Sequence, residues 1–312
     1  MSTPLTLRFG TRGSALARRQ TEIVIDLLTA AHTGVRCEVE VVSTHGDRTQ
    51  ALGTPLPLIG GKGVFTAELE HAIREGRIDC AVHSLKDVPT SPVEGIVIGC
   101  VPARASALDA LVSRDGRWLA ELPEGAVIGT SSLRRSAQLM HARPDLRTLD
   151  IRGNVDTRIR KALDPDGPYD ATVLALAGLD RLGIADRASE VLTEVVMLPA
   201  PAQGAIGVQC RPGGAAAELL RLVEDAGTLA AVTAERSFLS ALGGGCSAPV
   251  AALGVIVDGR LLLRGRVSAV DGSEQIDVSL DGDLADAGEL GVDLARMALG
   301  EGARAIVAEA RV

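Results

Sequence analysis

Leu5-Thr6-Leu7-Arg8-Phe9-Gly10-Thr11-Arg12-Gly13-Ser14 is the stretch that decides the fold. Leu5–Gly10 reads as a strand and Ser14–Ala31 as a helix, with the Ser14 hydroxyl placed to cap it. The same construction returns at Ile128-Gly129-Thr130-Ser131-Ser132. Both junctions lead into a helix with an adjacent arginine pair, Arg18-Arg19 in one and Arg134-Arg135 in the other. This echo predicts two related lobes.

Outward from the first junction, strand and helix alternate. Val35–Ser43 reads as a strand, Phe65–Arg74 as a helix with Gly76 past its end, and Ile78–His83 and Ile96–Val101 as strands. Around the second junction, Ala126–Gly129, Leu146–Ile151 and Asp170–Ala175 read as strands, with helices at Leu133–Arg143 and Val155–Leu163. Such alternation argues for α/β domains with parallel or mixed sheets. The last part differs. A helix at Thr228–Leu242 precedes three antiparallel strands, Val250–Val257, Arg260–Val267 and Gln275–Leu280, and a closing helix, Ala287–Leu299. Asp258-Gly259 is a hairpin signal between the first two of these strands. This region predicts a small α+β domain. Asp47–Lys62 lacks periodicity and is rich in glycine and proline, as a lid or a disordered segment is.

At 312 residues the chain exceeds one hydrophobic core, and a formal charge of −8 disfavours nucleic acid as a partner. The few aromatics leave the cores to Ala, Leu, Val and Ile. No apolar run approaches membrane-spanning length, and no basic-then-apolar leader precedes the first strand. Five cysteines without a CxxC pair fit a reducing cytoplasm, and a monomer is the expected state. His32, His45, His71, His83 and His141 show no metal-ligand spacing, so no metal is expected; His83 reads as a core or supporting residue.

Most of the distinctive polar motifs fall at strand-to-helix junctions: Thr11–Ser14, Ser84-Leu85-Lys86-Asp87, Thr130–Arg135 and Arg152-Gly153-Asn154. Strand carboxyl ends form the ligand crevice of open α/β sheets, and helix N-termini there favour anions. Arg12, Arg134, Arg135, Arg152 and Arg158 add a cationic lining to an acidic protein, which points to a polyanionic ligand. Gly60-Gly61-Lys62-Gly63 lacks the spacing of a phosphate loop, so several carboxylates suit the ligand as well as phosphates do. Asp87, halted by Val88-Pro89, is placed to stabilise a cation or move a proton. Cys246 follows three glycines at the end of a helical run; with no metal site and no hydrolase triad pattern in the chain, it reads as an attachment point rather than a hydrolase nucleophile, the alternative being a helix C-cap followed by a small buried residue.

These residues resemble those of the porphobilinogen deaminase (hydroxymethylbilane synthase) family along nearly the whole chain. The matching segments begin at Gly10 (GTRGSALARRQ), Gly60 (GGKGVFTAELE), Ala81 (AVHSLKDVPT), Gly129 (GTSSLRR), Ile151 (IRGNVDTR), Leu174 (LALAGLDRLG), Pro201 (PAQGAIGVQCR) and Gly243 (GGGCSAPV). The resemblance implies head-to-tail condensation of four porphobilinogens into a linear tetrapyrrole with release of ammonia. It implies a dipyrromethane cofactor joined to Cys246 by a thioether, and Asp87 as the catalytic carboxylate. Carboxylate-binding cations fall on Arg12, Lys86, Arg134, Arg135, Arg152, Arg158 and Arg181. Ser84, Thr130, Ser132 and Asn154 join the cofactor-binding set; Ser14, Gln203, Lys62 and Phe65 join the substrate-binding set. The implied fold has two lobes like those of periplasmic binding proteins, 1–102 with 203–222 and then 103–202. A third domain, 223–312, carries the cysteine. Three positions depart from the family's usual pattern: Leu58 and His45 stand where basic lid residues are common, and Gly243 where an acid is. They bear on the lid's part in binding, not on the reaction.

Two other readings compete. A non-catalytic anion-binding protein of the periplasmic-binding type fits the lobes but leaves Cys246 unexplained. A cysteine hydrolase needs a base on the thiol, for which no sequence signature appears.

Overall fold

The computed structural model describes residues 5–44, 46, 66–243 and 248–310. In chain order the first elements are β1 (Leu5–Thr11), α1 (Ala15–Ala31), β2 (Val35–Val41), α2 (Ala67–Arg74), β3 (Cys80–Ser84), β4 (Val97–Cys100), β5 (Asp109–Ser113) and β6 (Val127–Gly129). Then come α3 (Leu133–Ala142), β7 (Arg147–Leu149), α4 (Val155–Ala162), β8 (Ala171–Ala175), α5 (Leu176–Arg181), β9 (Glu190–Val191), β10 (Ile206–Cys210) and α6 (Gly214–Leu220). The last are α7 (Ala226–Ala241), β11 (Val250–Val257), β12 (Arg260–Ser268), β13 (Gln275–Gly282), α8 (Ala287–Gly300) and α9 (Ala303–Glu309). The chain divides into two compact units, residues 1–104 with 205–229, and 105–204 with 230–312.

The first unit is built on a sheet of order β2-β1-β3-β10-β4. β1 runs parallel to β2 and β3, whereas β10 is antiparallel to β3 and β4. Leu7, Phe9, Cys80, Val82 and Val208 face α1 and pack with Val24 and Leu28. The opposite face meets α2 through Ala81, Ile78, Leu69 and Ile73. Gly10 permits that contact, because a Cβ there would lie 2.8 Å from Leu69 Cδ2.

The second unit carries a sheet of order β7-β6-β8-β5-β9, with β6 parallel to β7 and β8, and β5 antiparallel to β8 and β9. The two sheets share one plan: three parallel strands in the order second-first-third, then an antiparallel strand, then an edge strand. The echo between the two junctions in the sequence is thus an echo of topology. A separate antiparallel sheet, β11-β12-β13, packs with Phe238 of α7 and Leu294 of α8. Its first hairpin pairs Val257 with Arg260 across Asp258 (φ 49°) and Gly259 (φ 76°), the doubly left-handed turn that Asp-Gly favours. The fold is therefore α/β, with two five-stranded sheets of one plan and a small C-terminal α+β region.

Strand and helix assignments from the sequence hold in outline, with shorter strands: Val35–Ser43 ends at Val41, and Leu146–Ile151 contracts to Arg147–Leu149. The Ser84–Asp87 motif does not open into a helix. It forms a single 3₁₀ turn, Leu85–Asp87, because Val88 before Pro89 is held extended.

Candidate functional site

In the first unit, polar groups gather where β1 and β3 end. Ser14 caps α1, its Oγ accepting from Ala17 N at 3.3 Å. Gln20, buried one to two turns along α1, donates from Nε2 to Ser84 Oγ at 2.8 Å and ties the helix to the end of β3. The turn that follows is pinned from below. Leu85 is buried over Gly207 of β10, where a Cβ would lie 2.7 Å from Leu85 Cδ1, and Leu85 N donates to Ala205 O at 3.0 Å. Lys86 is half-buried and Asp87 is exposed. Arg12, Ser14, Gln20, His83, Ser84 and Asp87 line one small cavity. A guanidinium and a carboxylate thus share a pocket whose remaining walls are hydroxyl, amide, imidazole and the apolar side chains of Leu16, Ala17 and Val82. His83 is held neutral: burial pulls its pKa down to about 4, Gln209 opposes the fall, and the Arg12 charge adds a little to it.

In the second unit the corresponding end of β6 is built around buried charge. Ser132 Oγ caps α3, accepting from Arg135 N at 3.4 Å, and Thr130 Oγ1 accepts from Ser132 N at 3.2 Å. The first turn of α3 then presents Arg134 and Arg135, only 5% and 6% exposed. Both pair with Asp109 at the start of β5, which is fully buried. Arg134 Nη1 lies 2.9 Å from Asp109 Oδ2, and Arg135 Nη2 lies 2.7 Å from Asp109 Oδ1. Gln203 Nε2 donates to the same Oδ1 at 2.9 Å. Two guanidiniums against one carboxylate leave a net positive charge. Burial lowers the Arg134 pKa, and Asp109 opposes that shift.

The neighbouring loop is fastened to this one by Ser131 Oγ, which donates to Ile151 O at 3.0 Å. Asn154 Oδ1 caps α4 by accepting from Thr157 N at 3.0 Å. Gly153 is required before it: φ is +125°, and a Cβ would meet Thr157 Cβ at 2.7 Å. Arg158 Nε donates to Gly153 O at 2.8 Å, and Lys161 Nζ to Arg152 O at 3.1 Å. Arg152 and Arg158 are half-buried. Arg181, at the end of α5, donates from Nη2 to Gly204 O at 2.7 Å, and burial lowers its pKa.

The structure therefore brings Arg12, Ser14, Ser84 and Asp87 into one cluster, with Lys86 beside Asp87 in the turn but not among the residues that line the cavity. It brings Thr130, Ser132, Arg134, Arg135 and Gln203 into another, with Arg152, Asn154 and Arg158 on the adjoining loop. Cys246, Lys62, Phe65 and the lid stretch 47–62 lie outside the described residues. Sequence reasoning missed Asp109, whose only signal is an acid opening the apolar run Ala110–Val112. It also missed the groups that hold the arginine pair in place. Gln138 bonds to both polar groups of Leu198, accepting from its N at 2.8 Å and donating to its O at 3.0 Å. Arg134 Nη1 donates to that same Leu198 O at 2.8 Å, and Arg266 of β12 donates to Gln138 Oε1 at 3.0 Å. Buried Glu235 of α7 accepts from Ala202 N at 2.5 Å and Gly254 N at 2.8 Å, holding the loop that carries Gln203. That loop is conformationally demanding, with Ala202 at φ 62°.

Comparison with known proteins gives this geometry its context. A family model described as porphobilinogen deaminase, dipyromethane cofactor binding domain, matches residues 7–218, and the C-terminal domain of the same family matches residues 229–300. The chain belongs to the porphobilinogen deaminase family. Its relatives include the porphobilinogen deaminase of Syntrophotalea carbinolica, 46% identical over 97% of this chain and 95% of that one. The porphobilinogen deaminase of Roseiflexus castenholzii is 47% identical over 97% of this chain and 99% of its own. Among solved structures, the methionine binding protein MetQ aligns with a TM-score of 0.44 at 12% identity, covering 70% of this chain and 89% of that one.

The donor set fits the cofactor of a porphobilinogen deaminase. A dipyrromethane with an acetate and a propionate on each ring is a polyanion with two ring N–H groups. Arg134 and Arg135, with a net positive charge and the capped start of α3 beside them, suit carboxylates; exposed Asp87 suits ring N–H.

Proposed function

We propose that this protein is a transferase that condenses four porphobilinogen molecules head to tail into hydroxymethylbilane, releasing ammonia, for porphyrin biosynthesis. One observation carries the reading at the level of chemistry: Arg12 and Asp87 line the same small cavity. Porphobilinogen carries two carboxylates and an aminomethyl cation, so a site needs both signs of charge close together. Arg12, with Ser14, takes a carboxylate, and Asp87 faces the nitrogen groups. As ammonia leaves, the substrate ring becomes electron-poor, and the Asp87 carboxylate offsets the charge that develops on its ring nitrogen. Ser84, fixed by Gln20, and Lys86 orient the ligand beside it.

Dipyrromethane, when bound, supplies a carbon nucleophile that primes the chain. Its holding residues are Thr130, Ser132, Arg134, Arg135, Arg152 and Asn154 with Ser84, Lys86 and Asp87, and its tether is a thioether to Cys246. Arg158, Arg181, Gln203, Lys62 and Phe65 complete the substrate-binding set. Domain boundaries at 1–102 with 203–222, 103–202 and 223–312, a monomeric state and a cytoplasmic location belong to the same reading. No helix among the described residues is long and apolar enough to cross a membrane.

The test is incubation with porphobilinogen alongside intact mass. Consumption of porphobilinogen with release of ammonia, and a mass excess of two linked pyrroles that vanishes in Cys246→Ala, are expected. A protein that binds porphobilinogen without consuming it, even after prolonged incubation, would be an anion-binding protein instead.

A further inference from the structure

On the α2 side of the first sheet, a line of buried polar groups leads to the Asp87 cavity. His83 and Gln209 lie on adjacent antiparallel strands. Gly207 pairs with His83 and Gln209 with Ala81, so the two side chains share a face on a diagonal. Gln209 Nε2 donates to Glu70 Oε1 of α2 at 3.1 Å. Glu70, Gln209 and His83 are only 7%, 3% and 5% exposed. His83 Nε2 and Gln209 Oε1 are both enclosed and short of a completed hydrogen bond, although the amide is near enough to oppose the fall of the His83 pKa. Thr66 Oγ1, another enclosed group without a partner among the described residues, lines the cavity with His83. A buried polar atom left in this condition is costly, and native structures seldom leave one without a purpose.

The chemistry of the amide sets the direction of the chain. One N–H of its NH₂ is given to the Glu70 carboxylate, which turns that end of the amide toward α2, and the enclosed oxygen is the atom left to meet the enclosed His83 Nε2; an oxygen accepts only from a protonated ring nitrogen. With the proton on Nε2, the lone pair belongs to Nδ1.

We infer that Glu70 and Gln209 make His83 a positioning residue of the Asp87 cavity, its Nε2–H turned to Gln209 and its Nδ1 offered as acceptor to an N–H donor of the ligand. The inference rests on the deaminase reading for the identity of that donor, a nitrogen group of porphobilinogen. An uncharged ring suits this place. Among the described residues, the charged groups that face it are Arg12 and Asp87 in the cavity and Glu70 through Gln209. A second cation beside Arg12 would neutralise Asp87 and repel the aminomethyl cation, whereas a neutral imidazole adds an acceptor and leaves the Asp87 charge intact.

Nitrogen-15 NMR of the histidine-labelled holoprotein at neutral pH reads the tautomer directly, with the His83 signals identified by their loss in His83→Gln. The expected result is a neutral ring protonated on Nε2. Gln209→Met keeps the volume but removes the oxygen; it is expected to mix the tautomers. It should also raise KM for porphobilinogen about tenfold, the worth of about one hydrogen bond, with a smaller fall in kcat. Glu70→Gln, which keeps an acceptor for the amide, is expected to retain the parent tautomer. A ring protonated on Nδ1, a charged ring, or Gln209→Met with parent tautomer and parent KM would overturn the inference. The spectrum needs no turnover. The expected tautomer in a protein that consumes no porphobilinogen would therefore overturn the deaminase reading and not the orientation of His83.

Discussion

The ends of β1 with β3 and of β6 occupy matching places in two sheets of one topology, yet they treat charge in opposite ways. In the first unit the acid is exposed on a three-residue turn and the cation lines the same cavity. In the second, two arginines are buried against a buried aspartate and a glutamine. A shared backbone plan therefore sets where groups are delivered, and the side chains beneath set how they are held. Arginines buried against a shared carboxylate are preorganised, which fits the proposal of a resident polyanion that is not released. An exposed carboxylate suits a ligand that enters, changes charge and leaves.

The comparison breaks most easily at Asp109. Asp109→Ala leaves two guanidiniums buried together, and a loss of about 3–5 kcal/mol in urea unfolding is expected, with cofactor mass lost in parallel. A loss below about 1 kcal/mol would show that the pairing is not structural. Asp87→Asn is the contrasting case. Because Asp87 is exposed, its unfolding midpoint is expected to stay unchanged while kcat falls about a hundredfold or more. Near-parent turnover in that variant would remove Asp87 from the chemistry.

A third experiment compares the units through pH. His83 takes up its proton near pH 4 when folded and near pH 6.5 when unfolded. Between those values the unfolded chain holds more protons. The His83 contribution is therefore complete above pH 6.5 and is lost as pH falls toward 4, by about 3 kcal/mol. His83→Gln is expected to flatten that part of the stability profile, and a profile with its slope intact would place the titration elsewhere. The smallest effect is expected at the caps. Ser14→Ala and Asn154→Ala each remove one side-chain acceptor and should cost about 1 kcal/mol apiece, measured by thermal or urea unfolding. A much larger cost at Asn154 alone would mean that its loop is strained in a way Ser14's is not.

Much of this fold was legible in the sequence because its signals are local. A capping serine after a strand, an Asp-Gly pair between alternating runs and a proline after Asp87 each act within a few residues. β5 and β10 escaped. Both are five-residue strands buried along their whole length, so no alternation of polar and apolar positions marks them. Their neighbours β8 and β3 lie far away in the chain, and that distance conceals the antiparallel pairing. The arginine pair was visible as a motif, whereas Asp109, Gln138, Glu235 and Arg266 were not, since each acts on a residue remote in sequence.

By itself the sequence determined the lobed α/β plan, the C-terminal hairpin and the place of Asp87, Lys86, Arg12, Arg134 and Arg135 in motifs at strand ends. Only the tertiary structure decided which of those charges are exposed and which are already paired. It also decided that His83 stands neutral between a glutamine and the Asp87 cavity. The reason is physical: periodicity, capping and turn chemistry are short-range, whereas the burial and pairing of a charge depend on whatever the fold packs against it.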